Sequence, residues 1–128
     1  MLSRLPGLLE RNKIIKQTDR YSTEQNVLVD EKGIQIQKSN IEYGRAIDSY
    51  EVYFPWTLVR ESSSRKISIN PDVFEITIYI TCDVEAKTWG VQQGAESVMV
   101  YFASISIVGT VDTFEAVSEI NRLAASSH

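Results

Sequence analysis

The stretch Phe74–Ala86, FEITIYITCDVEA, decides the fold. Phe74, Ile76, Ile78, Ile80 and Cys82 alternate with Glu75, Thr77, Tyr79, Thr81 and Asp83. Alternation with period two over this length predicts a strand with one apolar and one polar face. Such a strand belongs by preference to an antiparallel sheet, which packs one face on a core and turns the other to water.

The neighbouring segments repeat the pattern. In Ser49–Glu61, SYEVYFPWTLVRE, Val52, Phe54, Trp56 and Leu58 share one face, and Tyr53, Pro55, Thr57 and Val59 share the other. Pro55 cannot donate a ladder hydrogen bond, so it marks an edge or a bulge. In Ser97–Gly109, SVMVYFASISIVG, Tyr101, Ala103, Ile105 and Ile107 stand opposite Phe102, Ser104 and Ser106. Upstream, Asn26–Lys38, NVLVDEKGIQIQK, reads as a hairpin turning at Gly33. Three segments carry turn residues and read as connections: Ser39–Asp48, Asn70–Asp72 and Lys87–Ser97.

The two ends have helical periodicity. Leu5, Leu8, Leu9 and Ile15 predict a short amphipathic helix within Leu2–Lys16, with Pro6 near its start. Thr18–Gln25 then reads as a polar linker. Thr110–His128 predicts a second helix, capped by Asp112 or Thr110, with Glu115 in its first turn. Its inner stripe is Phe114, Val117, Ile120 or Asn121, and Ala124, with Leu123 beside it. The expected fold class is α+β, an antiparallel sheet covered on one face by helices. The expected layout is one domain over residues 1–128: helix and linker at 1–24, sheet at 25–110, C-terminal helix at 111–126.

Composition narrows the function. Of 128 residues, 43% are hydrophobic and 23% charged, an ordinary globular balance. The formal charge of −4 argues against strong non-specific nucleic-acid binding, although a local site is compatible with it. A single cysteine, Cys82, excludes an internal disulfide framework. No apolar run reaches membrane-spanning length, and the N-terminal leucines lack a small-residue cleavage site. The one histidine is His128, and no phosphate loop, CxxC, HExxH or nucleophile elbow occurs. The expectation is a protein that is not an enzyme and uses no cofactor or metal.

One further stretch is chemically pointed. In TLVRESSSRKISI, Thr57–Ile69, Arg60, Arg65 and Lys66 surround Ser62–Ser64 without a tight-turn residue. Its bland reading is a solvated loop. Its sharper reading is a contact for sugar and phosphate.

Together, VLVDEKG, SYEVYFPWTLVRESS followed by SRK, FEITIYITCDVEA, TWGVQQGAES and SVMVYFASISIVG running into a capped helix give an order of elements over about Gln25–Ser126 that resembles the coat proteins of single-stranded RNA bacteriophages. The resemblance implies an N-terminal hairpin, a large antiparallel sheet and terminal helices. It implies an interlocked homodimer whose two sheets join edge to edge, and an icosahedral shell around single-stranded RNA, assembled in the bacterial cytoplasm. Matched strand by strand, the RNA-facing residues would be Tyr53, Thr57, Thr77, Tyr79, Thr81, Phe102, Ser104 and Ser106, with Arg60, Arg65 and Lys66 at one end. Aromatic rings there would stack on unpaired bases and hydroxyls would bond base edges. Further cations would come from Arg11, Lys13, Lys16 and Arg20. The chain departs from the family in ending with one helix where two are usual, and in carrying an extra segment up to about Glu24. The expectation is that Leu8, Leu9, Ile14 and Ile15 form a helix in place of the second one. Two other readings fit the same strands: an export-chaperone-like binder of unfolded chains, and a structural ring from the tail or neck of a DNA phage.

Overall fold

The computed structural model describes residues 5–9, 12–69, 72–108 and 113–128. A single helical turn, α1 (Leu5–Leu8), precedes β1 (Asn12–Gln17), β2 (Tyr21–Val29), β3 (Gly33–Glu42) and β4 (Arg45–Pro55). A 3₁₀ turn at Trp56–Leu58 leads to β5 (Glu61–Ile69), β6 (Asp72–Gly90), β7 (Gly94–Val108) and the helix α2 (Thr113–Ser126). All seven strands join one antiparallel sheet in the order β1-β2-β3-β4-β6-β5, with β7 also on β6. The coarse expectation, a mostly antiparallel sheet with one main helix, describes this molecule.

The nineteen residues of β6 organise the sheet. One side of β6 pairs with β7 from Glu75 to Gly90. The other side is divided. Asp72–Tyr79 pairs with β5, and Ala86–Gly90 pairs with β4. Between Tyr79 and Ala86 neither strand pairs with β6, because the chain leaves β4 at Pro55, makes its 3₁₀ turn and returns as β5. Pro55 therefore ends a strand, which suits a residue with no N–H to donate.

A bulge sits in this gap. The β6–β7 register shifts between Tyr79 and Cys82, and Thr81 has φ 57°. A β-branched residue in the left-handed region is strained. One extra residue in β6 lets Ile76, Ile78, Ile80, Val84 and Ala86 all remain buried while the inward phase of β7 changes. Ile105 and Ile107 point inward below the bulge, and beyond it Phe102 takes that place, edge-to-face with Phe54 at 5.3 Å. Phe102 thus lies toward the core, which corrects its expected place on the polar face.

The core lies between the apolar side of the sheet and a thin helical layer. Phe54, Trp56, Ile34, Ile36, Ile76, Ile78 and Ile107 are essentially solvent-free, and Ala116, Ile120 and Ala124 of α2 close over them with Leu5, Leu8 and Leu9. At about 1.5–3 kcal/mol per fully buried large apolar side chain, this cluster is the main stabilising term. Trp56 also ties the hairpin to the core, donating its ring N–H to Asp30 O at 3.1 Å. The Asp30 carboxylate accepts the Lys32 and Gly33 amides at 2.8 and 2.9 Å, shaping the β2–β3 turn. Gly33 is obligatory there, because a Cβ would lie 2.3 Å from Phe54 O and 2.8 Å from the Tyr53 ring.

Two side-chain amides finish the sheet. Gln25 of β2 donates to Val108 O and accepts from Val108 N, both at 3.1 Å. Asn121 of α2 accepts from Ser62 N at 2.7 Å and donates to Ser62 O at 3.3 Å. Each amide satisfies a strand residue as a neighbouring strand would.

Several local expectations are corrected. The N-terminal helix shrinks to one turn, and Asn12–Gln17 is a strand, so the separate unit expected at 1–24 is instead partly sheet. Leu8 and Leu9 are buried and α1 touches α2, whereas Ile14 sits on β1 at 49% exposure. The linker at Thr18–Gln25 is mostly β2. Ser39–Asp48 is a hairpin turning at Tyr43 and Gly44, both with positive φ. Lys87–Ser97 is two strand ends around Val91–Gln93, with Gly94 at φ 74°. The serine run is not a loop: Glu61–Ile69 is strand β5. In α2 the buried stripe is Ala116, Ile120 and Ala124, spaced by four, while Phe114 is 83% exposed. The expected caps Thr110 and Asp112, and the turn residues Asn70 and Pro71, lie outside the described residues.

Candidate functional site

The sheet face turned away from α2 is read from the register. Its β5–β6–β7 part holds Glu61, Ser63 and Arg65 beside Tyr79, Thr77 and Glu75, and these beside Ser104, Ser106 and Val108. Its β4–β6–β7 part holds Glu51 beside Lys87, with Asp83 and Glu85 facing Tyr101 and Met99 across the strands. Tyr53 belongs to the phase of Glu51 and lies beside Gln35 of β3.

The structure brings together part of the expected RNA set. Thr77, Tyr79, Ser104 and Ser106 are adjacent on this face, with Arg65 at their margin. Tyr53 shares the face at the β4 end, where its ring lies over Gly33. Burial, and then the Asp30 carboxylate, push the pKa of its hydroxyl up. Thr57 is exposed in the 3₁₀ turn, and Thr81 is exposed at the bulge. Phe102 is on the core side. The three cations are not gathered. Arg65 pairs with Glu75 at 3.0 Å. Lys66 is opposite Phe74 in the register, on the other face, with its ammonium 5.5 Å from that ring. Arg60 is exposed before β5, where its backbone N–H binds Tyr79 O at 2.9 Å.

The electrostatic balance of the face is acidic. Glu51, Glu61, Glu75, Asp83 and Glu85 stand against Arg65 and Lys87. A phosphate backbone is repelled by such a surface. Of the further cations named from sequence, Arg11 and the Lys16 side chain lie outside the described residues, and Arg20 does not offset it. Arg20 is held by Glu42 at 2.8 Å and lies over the rings of Tyr21 and Tyr43 at 5.0 and 5.2 Å. Its hydrogen bond to Glu42 raises its pKa further. Lys38 reaches Ser106 O at 2.9 Å, and burial lowers its pKa against the opposing pull of Glu75.

The same face has relief. At the fork between β4 and β6 a cleft of about 530 Å³ is lined by Tyr53, Pro55, Leu58, Val84 and Met99, with Glu51, Asp83 and Glu85 at its rim. It continues through Glu51 and Lys87 into a second hollow of about 420 Å³ beside Trp89. Sequence reasoning missed this groove. The alternation in SYEVYFP already places Glu51 with Tyr53, but the fork depends on where β4 and β5 change places.

The outer edge of β7 is the other exposed feature. Val108 and Ser106 turn their backbone groups outward to Gln25 and Lys38. Ser104 does the same, but beyond the bulge the phase changes: Val91 N bonds Ile47 O, so Ala86 and Thr88 of β6 face β7, and the residues that turn their backbone groups outward are Tyr101, Met99, Ser97 and Ala95. Among the described residues no strand pairs with that edge. Val98, Met99 and Tyr101 are 37%, 67% and 61% exposed along it.

Comparison with protein families, with characterised proteins and with solved structures finds no match for this chain. Among the described residues no helix is long and apolar enough to cross a membrane. Among those residues, too, no group of three or more His, Cys, Asp or Glu side chains could hold a metal ion.

Proposed function

We propose that the chain is a self-assembling structural subunit, the coat protein of a single-stranded RNA bacteriophage, with no enzymatic activity. The observation that carries this reading is the open edge of β7. A long, partly apolar edge strand invites another strand, and a second copy of the same edge satisfies its outward N–H and C=O groups. Two copies joined along β7 would form one continuous sheet. The helical layer would remain on one side and the polar face on the other. Dimers of this kind would then build the icosahedral shell of a virion.

RNA is the enclosed partner in this reading. The acidic middle of the polar face is unsuited to phosphate, so contact would fall to its margins. Thr77, Tyr79, Ser104 and Ser106 would meet bases and sugars there, with Arg60 and Arg65 on one side and Lys66 reached around the β5 edge.

Expression of the chain alone tests the proposal. The expected products are dimers and large particles by gel filtration and electron microscopy, with the ultraviolet spectrum of nucleic acid inside them. A protein that stays monomeric, or that forms a hollow ring without RNA, overturns it. Tyr101→Pro sharpens the test. Its N–H points outward, so proline removes a donor from the open edge while leaving the β6–β7 ladder intact. Dimers should be lost and the monomer should stay folded.

A further inference from the structure

We propose that the groove on the outer sheet face docks an extended basic polypeptide segment, independently of shell assembly. The groove follows β6 from Asp83 to Trp89, seven residues that span about 20 Å at the rise of a strand. Its two hollows share Glu51 and Lys87, so they form one elongated depression. An elongated shape fits an extended chain better than a compact ligand.

Charge complementarity sets the sign of the occupant. Glu51, Asp83, Glu85 and Glu96 line the groove against the single cation Lys87. Glu51 accepts from the Gln35 amide. Asp83 and Glu85 are exposed, and among the described residues they have no partner. They stand two residues apart on β6, about 7 Å along the strand. Lysines or arginines at alternate positions of an extended peptide have the same spacing. The aliphatic stems of such residues can lie on Tyr53, Leu58 and Met99 while their charged ends reach the carboxylates. Tyr53 and Trp89 also offer ring faces to a cation.

The test uses the full chain and a fluorescent peptide of about six residues alternating Lys with Val, sized to the groove. A second peptide carries Glu in place of Lys, and a single-stranded RNA oligomer is the third probe. Anisotropy should show binding of the lysine peptide only, weakening as salt is raised. The triple variant Glu51→Gln, Asp83→Asn, Glu85→Gln should weaken it about tenfold or more. These side chains are at least partly exposed, and circular dichroism confirms that the variant is folded. Tyr101→Pro should leave peptide affinity unchanged even if it abolishes assembly, so failure of the two proposals is distinguishable. Equal binding of both peptides, indifference to the triple variant, or RNA binding that the triple variant weakens would overturn the inference.

Discussion

The two halves of β7 have opposite surroundings. Ile105–Val108 is enclosed: Ile105 and Ile107 are buried, Gln25 pairs with Val108, and Lys38 reaches Ser106 O. Gly94–Tyr101 is almost wholly exposed, and none of the described strands covers its outer edge. Both halves pair with β6 on the inner side. The difference therefore lies in what meets the outer edge, and it comes from the curl of the sheet. β2 and β3 arrive beside the end of β7 and supply polar side chains at backbone positions. A monomer that protects one half of an edge and leaves the other half open has a directed place for a partner strand.

Matched truncations on the two halves should give the largest contrast. Ile107→Ala removes a fully buried side chain and should cost about 2–5 kcal/mol in denaturant unfolding. Met99→Ala should change monomer stability by less than about 0.5 kcal/mol. Similar losses at both sites would mean that the exposed half is covered in solution. Next in size is Gln25→Leu. It strands the N–H and C=O of Val108, and each unsatisfied group costs about 1–3 kcal/mol where water is kept out. An unchanged melting curve would show that the amide is not what closes this edge.

The boundary between the halves is the bulge in β6. Thr81→Gly should stabilise by about 1 kcal/mol, because glycine accepts φ 57° without strain. A loss of stability would mean that the Thr81 side chain makes a contact worth more than the strain. The smallest effect belongs to Lys38. Burial lowers its folded-state pKa, so the folded protein binds fewer protons than the unfolded chain below the ordinary lysine value of about 10.4. Stability from this residue therefore rises with pH across the interval from the lowered pKa up to about 10.4. Tyr50 and Tyr53 act in the other direction from about pH 10 upward, since burial raises their pKa values. Comparing urea midpoints of the wild type and Lys38→Met at about pH 8 and pH 10 isolates the lysine. The wild type should gain relative to the variant at the higher pH.

What was legible depended on range. FEITIYITCDVEA lies in a strand, and its apolar phase is buried from Ile76 to Ile80. The hairpin at Gly33 and the C-terminal helix were equally plain, because turn chemistry and periodicity are local signals. The serine-rich β5 was obscure. Serine and arginine say little about strands, and its pairing with Asp72–Tyr79 reaches from Ile69 opposite Asp72 out to Glu61 opposite Tyr79. β1 was obscure for the opposite reason: its isoleucines also fit a helical spacing, and pairing with β2 decides against it. The candidate face was half legible. Alternation grouped Thr77 with Tyr79 and Ser104 with Ser106, but it assigned Phe102 to the wrong side because a bulge in a neighbouring strand leaves no mark on β7 itself.

The sequence by itself determined which segments alternate, which side of β6 is apolar, and that a hairpin turns at Gly33. These follow from side-chain size and backbone freedom within a few residues. Only the tertiary structure decided that β4 yields to β5 along β6, that a groove opens at that fork, that Gln25 and Asn121 replace missing strands, and that half of β7 stays open. Those outcomes depend on which elements meet across the chain. Local periodicity sets the faces of a strand and leaves its neighbours unspecified.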